Sequence, residues 1–360
     1  MLDSPSDIRH PPLDFQLMRL DKAIPITEQS WPEGTVPVVS ILCLTFNHGR
    51  YIRQALDGFL MQETTFPVEV IVYDDASTDG GQDIVRDYAS RHPGLFRLLL
   101  QTENQFSRGI PLGAILHESA RGEYCACCEG DDYWTDATKL QKQVELLDSR
   151  KEAPICFHRI LVAHEDCPEK DYISNPEEAS VTGVPDIVSR WYTHTNSVVF
   201  RRAFLPHLPP WASQVMWTDV SAWLCLAHRG PIHFIPEVLG VYRKHRGGIT
   251  HGGKAESRKA VINSTKCYRF FNEDTGGQYW SLLRRRLFEL NINWAEECRR
   301  TGQRADFLRA AFGSLRWFVS QPSGAGFSRL FLGVLLPRTL HPTYYAACRW
   351  KNRLLSGKAA

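Results

Sequence analysis

Apolar runs and helical periodicity alternate along the first third of the chain. Val36 to Thr45 is mostly apolar and predicts a buried strand of a parallel sheet. Tyr51, Ile52, Ala55, Leu56, Phe59 and Leu60 then recur at helical spacing. Val68 to Tyr73 predicts a second strand, followed by a helix with Ile84, Val85, Tyr88 and Ala89 on one face. Phe96 to Gln101, Leu112 to Ala120 and Tyr124 to Cys128 repeat the order strand, helix, strand. Such alternation with short links predicts a parallel α/β sheet wound with right-handed crossovers.

The second half is less regular. Glu177 to Arg190 reads as a loop leading to a short helix, and His194 to Arg201 as a strand-like core with a polar front. Asp219 and Val220 open a helix that Gly230 stops, and Pro231 to Val241 is strand-like. Tyr242 to Gly248 is a basic, glycine-bearing loop, and the stretch from Arg243 to His251 could close as a lid hinged at Gly247 and Gly248. From about Glu256 the pattern is helical, broken at Gln321 to Gly326 and at Pro337 and Pro342. Three regions result: an extension at 1–35, a catalytic-type domain at 36–255 and a mainly helical region at 256–360.

Ligands of open parallel sheets sit off the carboxyl ends of the strands. Three predicted strands end there in polar clusters: Thr45-Phe46-Asn47, Asp74-Asp75, and Glu129-Gly130-Asp131-Asp132. A lone acidic pair would be read as a solvated turn. Three clusters converging on one edge point to a site. Its crowded carboxylates need a cation or strong donors between them. Hard oxygen ligands suit Mg²⁺ or Mn²⁺, ions that clamp diphosphates. No G-x-G-x-x-G follows the first strand and no G-x-x-x-x-G-K-[ST] occurs, which argues against dinucleotide and P-loop sites.

The composition is globular, at 43% hydrophobic residues. The chain has ten cysteines, of which Cys125, Cys127 and Cys128 crowd one predicted core strand without zinc-site spacing. A reducing, cytoplasmic compartment is expected. Met1 to His10 is polar, so no signal peptide is expected, and no apolar run reaches the roughly 18 residues of a membrane span. Charge is split. Residues 256–360 hold 18 Lys/Arg and 7 Asp/Glu, against 24 and 33 in the rest, and no acidic residue follows Asp306. That asymmetry predicts a C-terminal region facing an anionic surface.

The order of V-V-S-I-L-C-L-T-F-N-H, V-I-V-Y-D-D-A-S-T-D-G, A-R-G-E-Y, E-G-D-D-Y-W and W-T-D-V-S-A-W-L resembles a family 2 glycosyltransferase of the GT-A fold over residues 36–250. The resemblance implies a Rossmann-like, mostly parallel sheet flanked by helices, here with a C-terminal helical extension. It also implies a nucleotide-diphosphate-sugar donor, Mn²⁺ or Mg²⁺, and inversion at the anomeric carbon.

Carried over by position, Thr45, Phe46 and Asn47 resemble nucleoside-contacting residues, with Phe46 equally readable as a core aromatic. Asp75 resembles the carboxylate that accepts from the uracil ring N–H, which favours a UDP-sugar. Asp74 is expected to support the turn and Asp79 to cap the next helix. Arg108 stands where the family often has a basic residue near the diphosphate or base. Asp131 and Asp132 match the metal motif D-x-D, read here as x-D-D. Asp132 is then the direct ligand, Asp131 meets the sugar or a metal-bound water, and Glu129 has no clear part. Trp134 is expected to wall the sugar pocket, with a core tryptophan as the competing assignment. Asp219 matches the catalytic base, the carboxylate that takes the acceptor proton during direct displacement, and an N-cap is the competing assignment. His245, in Y-R-K-H, is placed near the metal or pyrophosphate and His194 near the acceptor, with plain surface-loop residues as the competing assignment.

The implied acceptor is a glycan, a lipid-linked molecule or a protein, as in bacterial surface-glycan assembly. The alternatives are a sugar-nucleotide pyrophosphorylase, whose glycine-rich basic loop is absent after the first strand, and an inactive glycan-binding or scaffold protein. In the C-terminal region Phe327 to Leu336 is apolar but too short to span a bilayer, and Arg338, Arg349, Lys351, Arg353 and Lys358 follow. Trp317, Phe318, Tyr344, Tyr345 and Trp350 are interleaved. This predicts peripheral attachment to the inner membrane face, with a domain cap or a dimer contact as alternatives and no nucleic-acid partner.

Overall fold

The computed structural model describes residues 18–174, 179–189, 192–215, 218–248 and 255–319. The chain forms two compact units, Met1–Gly252 and Gly253–Ala360. In the first, the elements are β1 (Ile24–Pro25), β2 (Val39–Thr45), α1 (Ile52–Leu60), β3 (Glu63–Thr64), β4 (Val68–Asp74), α2 (Gly81–Arg91), β5 (Phe96–Leu100), α3 (Leu112–Glu118), β6 (Tyr124–Cys127) and β7 (Tyr133–Trp134). They continue with α4 (Lys139–Ser149), β8 (Ile155–His164), β9 (Tyr172–Ile173), β10 (Val181–Thr182), α5 (Val184–Ser189), β11 (Val199–Arg201), α6 (Thr218–Arg229) and β12 (Ile232–Lys244).

The main sheet has the order β10-β12-β8-β11-β6-β2-β4-β5. β6, β2, β4 and β5 run parallel, as the apolar runs predict. β11 lies antiparallel between β6 and β8, and β12 is parallel to β8. The reversed strand therefore leaves β8 and β12 pointing the same way as β6. The carboxyl ends of β2, β4, β6, β8 and β12 share one edge. β4 is buried at every position, the mark of a central strand covered on both faces. α1 supplies part of that cover with Ile52, Ala55, Leu56 and Phe59.

The opposite edge explains the A-R-G-E-Y motif. Ser40 Oγ donates to Glu69 Oε1 at 2.6 Å and accepts from Gly122 N at 2.8 Å. Arg121 Nε donates to the other Glu69 oxygen at 2.9 Å. A Cβ on Gly122 would lie 2.6 Å from Ser40 N, so only glycine fits. The motif is a structural clamp on three strands. The N-terminal extension is fastened from residue 18 on. β1 pairs with β3, Leu20 N donates to Thr65 O at 2.6 Å, and Arg19 pairs with Asp148 at 2.6 Å. Residues 1–17 lie outside the described part.

The second unit is helical: α7 (Ala255–Asp274), α8 (Trp280–Arg300) and α9 (Arg304–Val319). Gly276 and Gly277 turn with φ of 68° and 86° between α7 and α8. α8 buries Leu283, Leu287, Ile292 and Ala295. A Cβ on Gly313 would overlap Asn291 Oδ1, so α9 crosses α8 at a glycine. The segment from Phe327 to Lys358, with its aromatics and cations, lies outside the described residues. Among the described residues nine cysteines are free, and no helix is long and apolar enough to cross a membrane.

Candidate active site

The loops after β2 and β4 are tied together before any ligand is considered. Asn47 sits at a φ of 54°, its N–H donating to Ser77 Oγ at 2.8 Å and its side-chain oxygen accepting from Thr78 N at 2.9 Å. Asp74 accepts from Ser77 N, Ser77 Oγ and Gln82 Nε2 at 2.6–2.8 Å, so it supports the turn as expected from its place in the motif. Asp79 accepts from Gly81 N at 3.0 Å at the start of α2 and from Gly49 N at 2.6 Å. It is a strut between two loops as much as a cap.

Asp75 is buried, and both its oxygens are engaged. Gln105 N donates to Oδ1 at 2.7 Å and Phe106 N to Oδ2 at 3.0 Å. What Asp75 does in this structure is fasten the loop that follows β5 to the end of β4. Arg108 lies on that loop, largely exposed and paired with Glu103 at 2.8 Å.

The E-G-D-D turn sends its side chains in different directions. Gly130 packs where a Cβ would meet Thr45 Oγ1 at 2.6 Å and Ile52 Cδ1 at 2.9 Å. Thr45 is therefore buried under the turn and faces no cleft. Asp131 Oδ2 accepts from His245 Nε2 at 3.0 Å and lies 3.6 Å from His48 Nε2. Burial raises the Asp131 pKa. The His245 hydrogen bond and the charges of His48 and His245 outweigh it and hold the carboxyl below its usual range. His245 is positioned by the Tyr51 ring, 4.6 Å away between centroids. Tyr51 in turn donates to Glu165 at 2.8 Å. Phe46, Asn47, His48, Tyr51, Glu165 and His245 line an open cleft of about 750 Å³. Phe46 is 43% exposed there, so the alternative of a core phenylalanine falls.

Asp132 faces the other way. It is 2% exposed and accepts from Arg243 N at 2.8 Å. Burial, together with Asp131 and Glu129, pushes its pKa well up. The expectation of a directly metal-binding Asp132 does not suit a carboxyl turned inward onto β12. Trp134 is likewise no sugar wall. It is 2% exposed, packs on Phe59 at 4.9 Å and donates from Nε1 to Asn196 O at 2.8 Å. Its register opposite Gly240 puts it in the core.

Asp219 is the second residue of α6, inside the first turn rather than at the cap. Its Oδ1 accepts from Val220 N at 2.8 Å and its Oδ2 from Thr195 Oγ1 at 3.2 Å. Burial raises its pKa. Across a second cavity, of about 110 Å³, stands Glu129, the residue that the motif reading left without a part. Burial first, then Asp131 and Asp219, push Glu129 up to about 8. Leu44, Leu116, Phe200 and Trp223 wall this cavity, which is why two carboxyls there hold their protons tightly. The signal available in the sequence was the spacing itself, a third carboxylate two residues before Asp131 at a strand end. His194 is half-buried against Tyr242, with ring centroids 4.9 Å apart, and desolvation lowers its pKa to about 4.

Residues 40–204 match the family described as glycosyl transferase family 2. An uncharacterized protein of Mycobacterium tuberculosis is 42% identical over 224 residues, which are 61% of this chain and 63% of that protein. The chain thus matches less than two thirds of that relative's length. Among solved structures, the mannosyltransferase PcManGT of Pyrobaculum calidifontis, in complex with GDP-Man and Mn²⁺, superposes with a TM-score of 0.52 at 18% identity, covering 93% of this chain and 92% of that one. TarS of S. aureus in complex with UDP-GlcNAc gives 0.50 at 13% identity, covering 79% and 92%. At these identities the structures establish a shared GT-A fold.

Proposed function

We propose, for a chain whose residues 40–204 belong to glycosyl transferase family 2, that it moves a sugar from a nucleoside-diphosphate donor to a hydroxyl of a glycan, lipid-linked or protein acceptor, with inversion. The observation that carries this reading is Asp131, an ionised carboxylate 3.0 Å from His245 beside a cleft of about 750 Å³. The two fold relatives bind a uridine and a guanosine nucleotide sugar. A UDP-sugar is the reading we prefer on the position of Asp75 in its motif; the carboxylate is 1% exposed and held by two backbone amides, so a base N–H reaches its remaining lone pairs only when the loop after β5 shifts. Phe46, exposed at the cleft, supplies a face for stacking.

Asp131 and His245 would hold the divalent cation. One carboxylate oxygen and one imidazole suit Mn²⁺ better than Mg²⁺. Among the described residues no group of three His, Cys, Asp or Glu forms a closed cage. Two protein ligands leave positions for diphosphate oxygens, as is usual for ions that act on phosphates. When bound, the ion neutralises charge on the leaving diphosphate. The remaining work falls to the protein. Arg243, stacked on Tyr51 at 4.6 Å and hydrogen-bonded to Gln54 at 2.7 Å, holds the end of β12 against α1 and so fixes His245. Asp219 takes the acceptor proton, with Thr195 orienting one of its oxygens. A raised pKa suits a base that must gain a proton near neutrality. Glu129, protonated at neutral pH, is a donor toward the sugar or Asp219 and does not compete for the proton.

The test is a screen of UDP-, GDP- and dTDP-sugars with Mn²⁺ or Mg²⁺, read as released nucleoside diphosphate. Release from at least one donor, dependent on the cation, is expected. No release from any donor, with folded protein, would overturn the reading.

A further inference from the structure

The first unit accounts for the chemistry above, and the helical unit does not enter it. One face of α9 stands apart. Leu308 is 55% exposed, Phe312 69% and Leu315 47%. At about 100° per residue these three side chains fall within about 60° of one another on the helix. Ala310 and Ser314, on the opposite side, are fully buried. The stripe is flanked by charge of one sign. On the same helical projection Arg304 borders it on one side, and Arg309 and Arg316 on the other. Arg309 is held to Asp306 at 2.7 Å and is still 56% exposed. In the sequence, residues 301–360 carry nine Lys/Arg and a single acidic residue, Asp306.

We infer that the Leu308–Phe312–Leu315 face of α9 docks on an anionic lipid bilayer, lying flat with the three apolar side chains among the acyl chains and the arginines at the headgroups. An exposed apolar stripe bordered by cations is the pattern of an interfacial helix. The charge selects the occupant. A second copy of the chain would bring the same excess of cations against this face, whereas anionic headgroups complement it. α9 has 16 residues, so it is about 24 Å long, too short to cross a bilayer and long enough to lie in one.

The experiment uses the full chain and vesicles of phosphatidylcholine with or without phosphatidylglycerol, read by co-sedimentation, with size exclusion alongside. Wild type should pellet with the phosphatidylglycerol vesicles and stay largely in solution with phosphatidylcholine alone. High salt should release part of it. The triple variant Leu308→Ser, Phe312→Ser, Leu315→Ser should bind at least roughly tenfold more weakly, the loss expected from withdrawing three apolar side chains. The control Phe312→Leu should bind within a few-fold of wild type. Donor hydrolysis should be equal in all three, which separates a failure here from a failure of the glycosyltransferase reading. Wild-type binding by the folded triple variant would overturn the inference. So would equal pelleting with neutral vesicles, or a wild-type dimer that the triple variant converts to monomer.

Discussion

Glu129 offers a perturbation whose sign and size follow from its surroundings. Its carboxyl is pushed up to about 8 by burial and by the neighbouring Asp131 and Asp219. In the unfolded chain it titrates in the ordinary range near 4.3. A raised folded-state pKa contributes stability that is complete below the unfolded value and is lost as pH climbs through the folded one. Glu129→Gln keeps the shape and removes the titration. Its stability should therefore match wild type near pH 4.5 and exceed it increasingly toward pH 9. At about 1.4 kcal/mol per pH unit the rise amounts to several kcal/mol for the carboxylate cluster. Part of that rise is repulsion from Asp131 and Asp219 rather than burial of Glu129 itself, so on the order of 2 kcal/mol should return when Glu129 alone is neutralised. The assay is urea unfolding of both proteins across this range, with a chelator present so that no cation masks the effect. Parallel stability profiles would refute the reasoning, because they would mean that Glu129 is solvated and ordinary.

Asp219→Asn keeps the contacts to Val220 N and Thr195 in shape but removes the proton acceptor, and should cut sugar transfer by roughly 10²–10⁴-fold with donor affinity nearly unchanged; transfer within a few-fold of wild type would make Asp219 a helix-end residue only. Gly130→Ala forces a Cβ against Thr45 Oγ1, and should cost on the order of 1–3 kcal/mol in chemical denaturation and displace Asp131 from His245. Trp134→Ala should destabilise by about 3–5 kcal/mol, as expected of a core aromatic, with little change in the donor KM of the folded fraction.

The parallel half of the sheet was legible because β2, β4, β5 and β6 are each a mostly apolar run between short links, and β2, β4 and β6 end in polar clusters. Those clusters were rightly placed on one edge. Sequence could not say which aspartate meets His245 and which turns inward. Asp132 turns inward because Arg243 N, 111 residues later, donates to it. Trp134 looked like a pocket wall for the same reason, since its partner Gly240 belongs to the last strand of the sheet. The antiparallel β11 falls within the strand-like stretch read at His194 to Arg201, but it is three residues long and pairs on both sides with distant strands, so nothing local could announce its direction. Glu129 and Asp219 meet across 90 positions through a reversal that only this topology creates. His245 was placed from its motif, and the structure supplies its contact to Asp131.

The central claim is that Asp131 with His245, and not Asp132, makes nucleoside-diphosphate binding depend on a divalent cation. Calorimetric titration of UDP, and of GDP if UDP fails, with and without Mn²⁺ tests it in wild type, Asp131→Asn and Asp132→Asn. The account predicts Mn²⁺-dependent binding in wild type, its loss in folded Asp131→Asn, and its retention in Asp132→Asn provided that variant folds. Undiminished Mn²⁺-dependent binding in folded Asp131→Asn would contradict it.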